Sequence, residues 1–191
     1  KLIPPLENIL EVCTHPKDAP DQEEILEIEF IKGVPVSLNR IPLSMAEIVM
    51  KCNEIGAKHG VGIEHLIEDR LVGLKVRGVY EAPGARVLIT AHDRLEKLVS
   101  TRNQNEMKKI IDEKWAYLCY GAQWFEPTMK ALHAFQDSVN ENVTGSVKVR
   151  LYKGNIDAVA VESPYSLFNA DLATFEKNVS FNQNASPGFI E

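Results

Sequence analysis

The chain has 191 residues, a formal net charge of -6, 45% hydrophobic residues and 25% charged residues, the balance of a globular domain and not of a disordered one. The acidic surplus argues against a nucleic-acid partner, which draws on a basic contact face. No apolar run approaches the roughly 18 residues that a membrane span needs.

Cys13, Cys52 and Cys119 are odd in number and far apart, so they read as buried thiols in a reducing compartment, not as a zinc site or redox pair. Sequons at Asn142, Asn178 and Asn184 stand without any other extracellular sign and are read as chance. Lys1 is not a natural start, so the sequence reads as beginning downstream of the protein's own N-terminus.

Residues 1–23 are acidic and rich in proline (Pro4, Pro5, Pro16, Pro20) and predict an extended surface arm, with at most a turn of helix near Asn8 to Val12. From Glu24 the chain alternates, with Leu26, Ile28 and Phe30 against Glu27 and Glu29, as a half-buried strand does. Lys32-Gly33 turns it, and Val34 to Leu38 returns as the hairpin partner, placed near an edge by Pro35. Ser44-Met45-Ala46-Glu47 is a capping box opening a helix with Ile48, Cys52 and Ile55 on its inner stripe, ending at Lys58-His59-Gly60. A strand is expected over about Glu64 to Leu74. A helix follows from Pro83, burying Val87, Ala91, Leu95 and Leu98.

A third helix is expected from about Gln104 to Tyr120, packing Met107, Ile110, Ile111, Trp115 and Leu118. A fourth starts behind Pro127 with Leu132, Phe135 and Val139. Val147, Val149 and Leu151 then alternate with Lys148 and Arg150, and Ile156 to Val161 returns past Lys153-Gly154-Asn155. A short helical stretch near Asp171 to Phe175 precedes a polar tail. This order predicts an α+β fold, an antiparallel sheet packed against helices, as residues 24–168, with the arm (1–23) before it and a tail (169–191) after it.

Few chemical motifs emerge. Gly60-Val61-Gly62 lacks the third glycine of a dinucleotide loop and follows a helix, so it reads as a cap and turn. His92 and His133 read as structural side chains within helices. The unusual segment is 67–81, which crowds charges between apolar residues. On a strand, Glu68 and Arg70 share one face, as do Lys75 and Arg77. Composition alone favours a solvated face of ion pairs there.

In and around this segment, Lys58-His59-Gly60-Val61-Gly62, Glu68-Asp69-Arg70 and Lys75-Val76-Arg77-Gly78-Val79-Tyr80-Glu81-Ala82-Pro83 resemble the central run of argininosuccinate synthases. Glu27-Ile28-Glu29-Phe30, Trp124-Phe125-Glu126-Pro127, Asn142-Val143-Thr144-Gly145, Leu151-Tyr152-Lys153-Gly154-Asn155 and Ser163-Pro164-Tyr165-Ser166-Leu167 extend the likeness in order along the chain. The resemblance implies a cytoplasmic, AMP-forming ligase of arginine synthesis. In it citrulline is activated by ATP with magnesium and then joined to aspartate. Glu68 and Tyr80 match two family residues that contact citrulline. No residue here matches a catalytic, cofactor or metal position. The ATP and aspartate sites are expected in an N-terminal domain outside this sequence, and a C-terminal helix beyond it would serve tetramer assembly. Two positions depart: Ile63 stands where the family usually has Arg, and Val76 where it usually has Ser. A stand-alone amino-acid-binding module and a purely structural assembly domain are the competing readings.

Overall fold

A computed structural model describes residues 3–5 and 7–169; the helical stretch and tail expected beyond lie outside the described residues. Strands β1 (Glu24–Ile31), β2 (Val34–Leu38), β3 (Ile41–Pro42), β6 (Gly145–Tyr152) and β7 (Asn155–Glu162) form one antiparallel sheet in the order β3-β2-β1-β6-β7. A second sheet is the hairpin β4 (Ile63–Asp69) and β5 (Lys75–Glu81). Helices α1 (Met45–Lys58), α2 (Pro83–Val99), α3 (Arg102–Tyr120) and α4 (Pro127–Asn140) complete the α+β arrangement.

The large sheet works because its period-two pattern sorts apolar side chains onto one face. Leu26, Ile28 and Phe30 of β1 stand beside Val147, Val149 and Leu151 of β6, with at most 1% of each exposed. Ile48 and Cys52 of α1 and Val87, Ala91 and Leu95 of α2 close over them. Each fully buried Val, Leu, Ile or Phe among them contributes about 1.5–3 kcal/mol by leaving water. The opposite face carries Glu27, with Arg40 and Lys148 at 3.1 and 3.5 Å. Two tight connections, Lys32-Gly33 and Lys153-Gly154, hold both central residues at positive φ, the geometry that matches a right-handed strand twist. Pro35 is tolerated because β3 covers only Ser37 and Leu38 of its neighbour.

The helices follow their caps. Ser44 and Glu47 make the reciprocal capping box of α1. A second box, Thr101 with Gln104, starts α3 two residues before the expected Gln104. α2 has Pro83 at its first turn and no side-chain cap of its own, and Asn53 of α1 accepts from the Gly84 N–H at 2.8 Å. At the end of α1, Lys58 and His59 both turn to Glu24 on β1, at 2.7 and 3.0 Å, with His59 buried.

Three expectations need correction. The strand expected over Glu64 to Leu74 stops at Asp69, and a second strand, β5, follows it, because Arg70–Leu74 folds back: Leu74 O accepts from Arg70 N and Arg70 O from Gly73 N, with Gly73 at positive φ. The inner stripe of α3 is narrower than expected. Leu118 is buried and Ile111 and Trp115 pack beside it with Met129 and Leu132 of α4, whereas Met107 and Ile110 are exposed. The arm is docked as well as extended. It has 3₁₀ turns at Glu7–Ile9 and Pro16–Asp18, and it buries Cys13 and Ala19.

Candidate functional site

The β4–β5 hairpin is launched from Gly62 and returns to it, since Ala82 N donates to Gly62 O at 2.9 Å. Gly62 has φ +83°, and a Cβ there would come within 2.7 Å of the Ala82 carbonyl and the Pro83 backbone. Gly60 is likewise at positive φ and packed on the Thr14 carbonyl. The Gly60 and Val61 N–H groups already donate to Ala57 O and Gly56 O at 3.0 and 2.9 Å, so they are not the open amides of a phosphate cradle. Gly60-Val61-Gly62 is a helix cap and turn.

Pairing Glu64 with Tyr80, Leu66 with Gly78 and Glu68 with Val76 fixes which side chains share a face. One face presents Glu64, Leu66, Glu68, Val76, Gly78 and Tyr80. The other presents His65, Ile67, Arg77, Val79 and Glu81. The structure therefore brings Glu68 and Tyr80 together: the Tyr80 hydroxyl donates to Glu68 Oε2 at 2.8 Å. Arg70, at the first position of the turn, places Nε 3.2 Å from Glu68 Oε1. The hydrogen bond to Glu68 pushes the Tyr80 phenol above its ordinary range, with desolvation and the negative charge of Glu68 adding to it. Glu68 is largely covered, 19% of its side chain being exposed, and Tyr80 is more open at 45%.

The second face holds the arm. The Glu81 carboxylate accepts from Glu11, Val12 and Cys13 N–H at 2.8, 3.0 and 2.6 Å. Arg77 donates to Ile3 O at 2.7 Å and to His65 Nε2 at 2.6 Å. Between arm and hairpin lies a cleft of about 470 Å³ lined by Pro4, Ile9, His15, Ile63, His65 and Val79. The two positions expected to depart from the resembled pattern, Ile63 and Val76, fall on opposite faces. Val76 is the cross-strand neighbour of Glu68, and Ile63 lines the arm-side cleft.

Glu68 and Tyr80, expected from the sequence at one site, lie in contact, as do Glu68 and Arg70, and Lys75 shares its face with Arg77. The sequence did not point to Glu81 as the anchor of the arm, nor to Gly78, where an added Cβ would come within 2.5 Å of the Tyr80 ring. The signal for both was the turn: a glycine within Arg70–Leu74 between two apolar runs indicates a hairpin, and the hairpin fixes the alternation of β5. His133 accepts from Trp115 Nε1 at 2.9 Å, and His92 lies 3.7 Å from Glu96, so both are structural. Among the described residues no group of three or more His, Cys, Asp or Glu could hold a metal ion, and no helix is long and apolar enough to cross a membrane.

The family described as arginosuccinate synthase C-terminal domain matches residues 2–191. The chain belongs to the argininosuccinate synthase family. It is 48% identical over 188 residues to the argininosuccinate synthase of Carboxydothermus hydrogenoformans, covering 98% of this chain and 47% of that one. It is 47% identical to that of Desulfitobacterium hafniense over 175 residues, covering 92% and 44%. It is 42% identical to that of Agathobacter rectalis over 187 residues, covering 98% and 46%. The chain thus spans a little under half the length of these argininosuccinate synthases. The match reaches both hairpin faces, so it includes Glu68, Tyr80, Arg77 and Glu81 alike.

Proposed function

We propose that this chain is the citrulline-holding part of an AMP-forming carbon–nitrogen ligase that joins citrulline to aspartate in arginine synthesis, in the cytoplasm. The observation that carries the reading is the 2.8 Å Tyr80–Glu68 hydrogen bond on the open face of the hairpin. Because the phenol proton is spent on Glu68, both residues face a ligand as acceptors only. Such a pair suits a donor-only group and offers no hydrogen to a carboxylate. Citrulline supplies that donor in its α-ammonium, which forms a charge-assisted hydrogen bond with Glu68.

In the proposed reaction the ureido oxygen attacks the α-phosphorus of ATP and pyrophosphate leaves. The amine of aspartate then attacks the ureido carbon, and AMP departs with the former ureido oxygen. Glu68 and Tyr80 anchor the amino-acid end and take no part in proton transfer. With no glycine-rich phosphate cradle among the described residues, ATP with magnesium and aspartate are assigned to the length of the relatives that this chain does not span. Residues 24–168 form the substrate-holding and assembly domain, and residues 1–23 form the arm.

Self-association into a homo-oligomer is part of the proposal. Trp115 belongs to the small core between α3 and α4, but Tyr120, Trp124 and Phe125 are exposed, Phe125 at 96%. Exposed apolar patches of this kind mark protein contacts.

The test of the ligase reading is Glu68→Gln in the intact protein. The citrulline KM rises by roughly 30–1,000-fold while kcat and the ATP KM change little, as expected for uniform binding lost with a charged partner. An unchanged citrulline KM would return Glu68 to a surface ion pair with Arg70.

A further inference from the structure

We propose that Gly78 is a positioning residue for the Tyr80–Glu68 pair: a position without a side chain lets the Tyr80 ring lie along β5 and reach Glu68. The register sets the problem. Tyr80 is opposite Glu64, and Glu68 is four residues further along β4, opposite Val76. At about 3.3 Å per residue the two backbones are on the order of 13 Å apart along the hairpin. A tyrosine standing upright on the sheet does not reach that far. It must lean along its own strand, across the residue two positions back, because that residue shares its face.

Position 78 is the one crossed. A Cβ built there would meet Tyr80 Cε2, Cζ and Oη at 2.5, 3.0 and 3.1 Å, and these are its three nearest atoms. The phenol therefore occupies the volume that any other residue would fill. Gly78 pairs with Leu66 in the regular ladder and is not among the glycines at positive φ. Its backbone would accept any L-residue. What glycine provides here is space for the ring, and an alanine displaces the far end of one side chain without straining the fold.

The consequence is electronic as well as steric. With the ring on Gly78 the phenol donates to Glu68 and keeps only acceptor capacity. Lifted off, it regains a free donor, and Glu68 retains Arg70 as its partner. The acceptor-only character of the Tyr80–Glu68 pair then depends on a residue that touches no substrate. This consequence for citrulline rests on the proposed function. The positioning itself does not.

The experiment is Gly78→Ala, read in two ways. Carbon-13 Cζ tyrosine labelling of the protein, with Tyr80 assigned by its loss in Tyr80→Phe, follows the phenol titration without any substrate. In the unaltered protein Tyr80 titrates above the ordinary phenol value of about 10, and in Gly78→Ala it falls back to that value. A Tyr80 that still titrates high in Gly78→Ala overturns the positioning role. In the intact protein, Gly78→Ala raises the citrulline KM roughly tenfold, as loss of one neutral hydrogen bond does. It adds nothing further in a Tyr80→Phe background. An additive rise in the double variant would show that Gly78 acts other than through Tyr80, and the proposal would fail. A shifted titration with an unchanged KM supports the positioning and removes the citrulline assignment instead.

Discussion

The carboxylate of Glu81, the last residue of β5, accepts the backbone N–H of Cys13 at 2.6 Å, joining two positions 68 residues apart in the chain. Glu11 and Val12 N–H groups complete the same cradle. Glu81 directly follows Tyr80 on the opposite face of the strand. The contact that fixes the arm therefore also fixes the strand that carries the candidate site.

Glu81→Gln tests this anchor. Burial pushes the carboxyl up, but the three backbone donors outweigh it and hold Glu81 below its ordinary value near 4.5. The amide keeps one acceptor oxygen and loses the charge. The expected cost is about 1–2 kcal/mol in chemical denaturation, with faster amide exchange at residues 11–13. A depressed folded pKa contributes stability that is present above the unfolded value and lost as pH falls through the folded one. The gap between parent and variant therefore closes below about pH 4.5. Equal stabilities at neutral pH would show that the arm is held by other contacts.

Specificity at the Glu68–Tyr80 pair is tested with the ureido acid that lacks citrulline's α-ammonium. The intact protein should bind it weaker than citrulline by roughly 2–4 kcal/mol, a gap that shrinks in Glu68→Gln. Tyr80→Phe removes a neutral hydroxyl and weakens citrulline by about 1–3 kcal/mol. Discrimination undiminished in Glu68→Gln would assign the ammonium to another residue.

Between α2 and α3, Lys108 lies 3.3 Å from the buried Glu96 and 2.5 Å from Asp112. Burial lowers the Lys108 pKa, but the bonds to Asp112 and the charge of Glu96 overcome it and the net direction is up. Lys108→Met leaves Glu96 buried without its cation and should destabilise the chain by about 2–4 kcal/mol. Lys108→Met with Glu96→Gln should recover much of that loss. A raised folded pKa gives stability that is full below the unfolded value near 10.5 and lost as pH rises through the higher folded value, so both proteins converge only in strong alkali.

For assembly, Phe125 is the discriminating residue. It is 96% exposed, so Phe125→Ser should change monomer stability by less than about 0.5 kcal/mol. It should nonetheless weaken self-association by roughly 1–3 kcal/mol in sedimentation equilibrium. An unaltered protein that remains monomeric at high concentration would remove the assembly reading altogether.

The sequence by itself determined the local elements whose signals are short in range. Alternation marked β1 and β6, and Ser44 with Glu47 and Pro83 opened α1 and α2. The resemblance over 58–83 singled out Glu68 and Tyr80 and pointed to the family. Only the tertiary structure decided how the charged segment divides. A turn at Arg70–Leu74 sends Glu68, Val76 and Tyr80 to one face and Arg77 and Glu81 to the other. One-dimensional periodicity carries no information about which strand is opposite, because a two-residue repeat continues through a tight turn as readily as along one strand. The same limit applied to α3, where Met107 and Ile110 fit a helical stripe but stand exposed at 47% and 63%. What decides a side chain's place there is which positions of α3 meet Met129 and Leu132 of α4, and that is set by tertiary packing and absent from the order of residues.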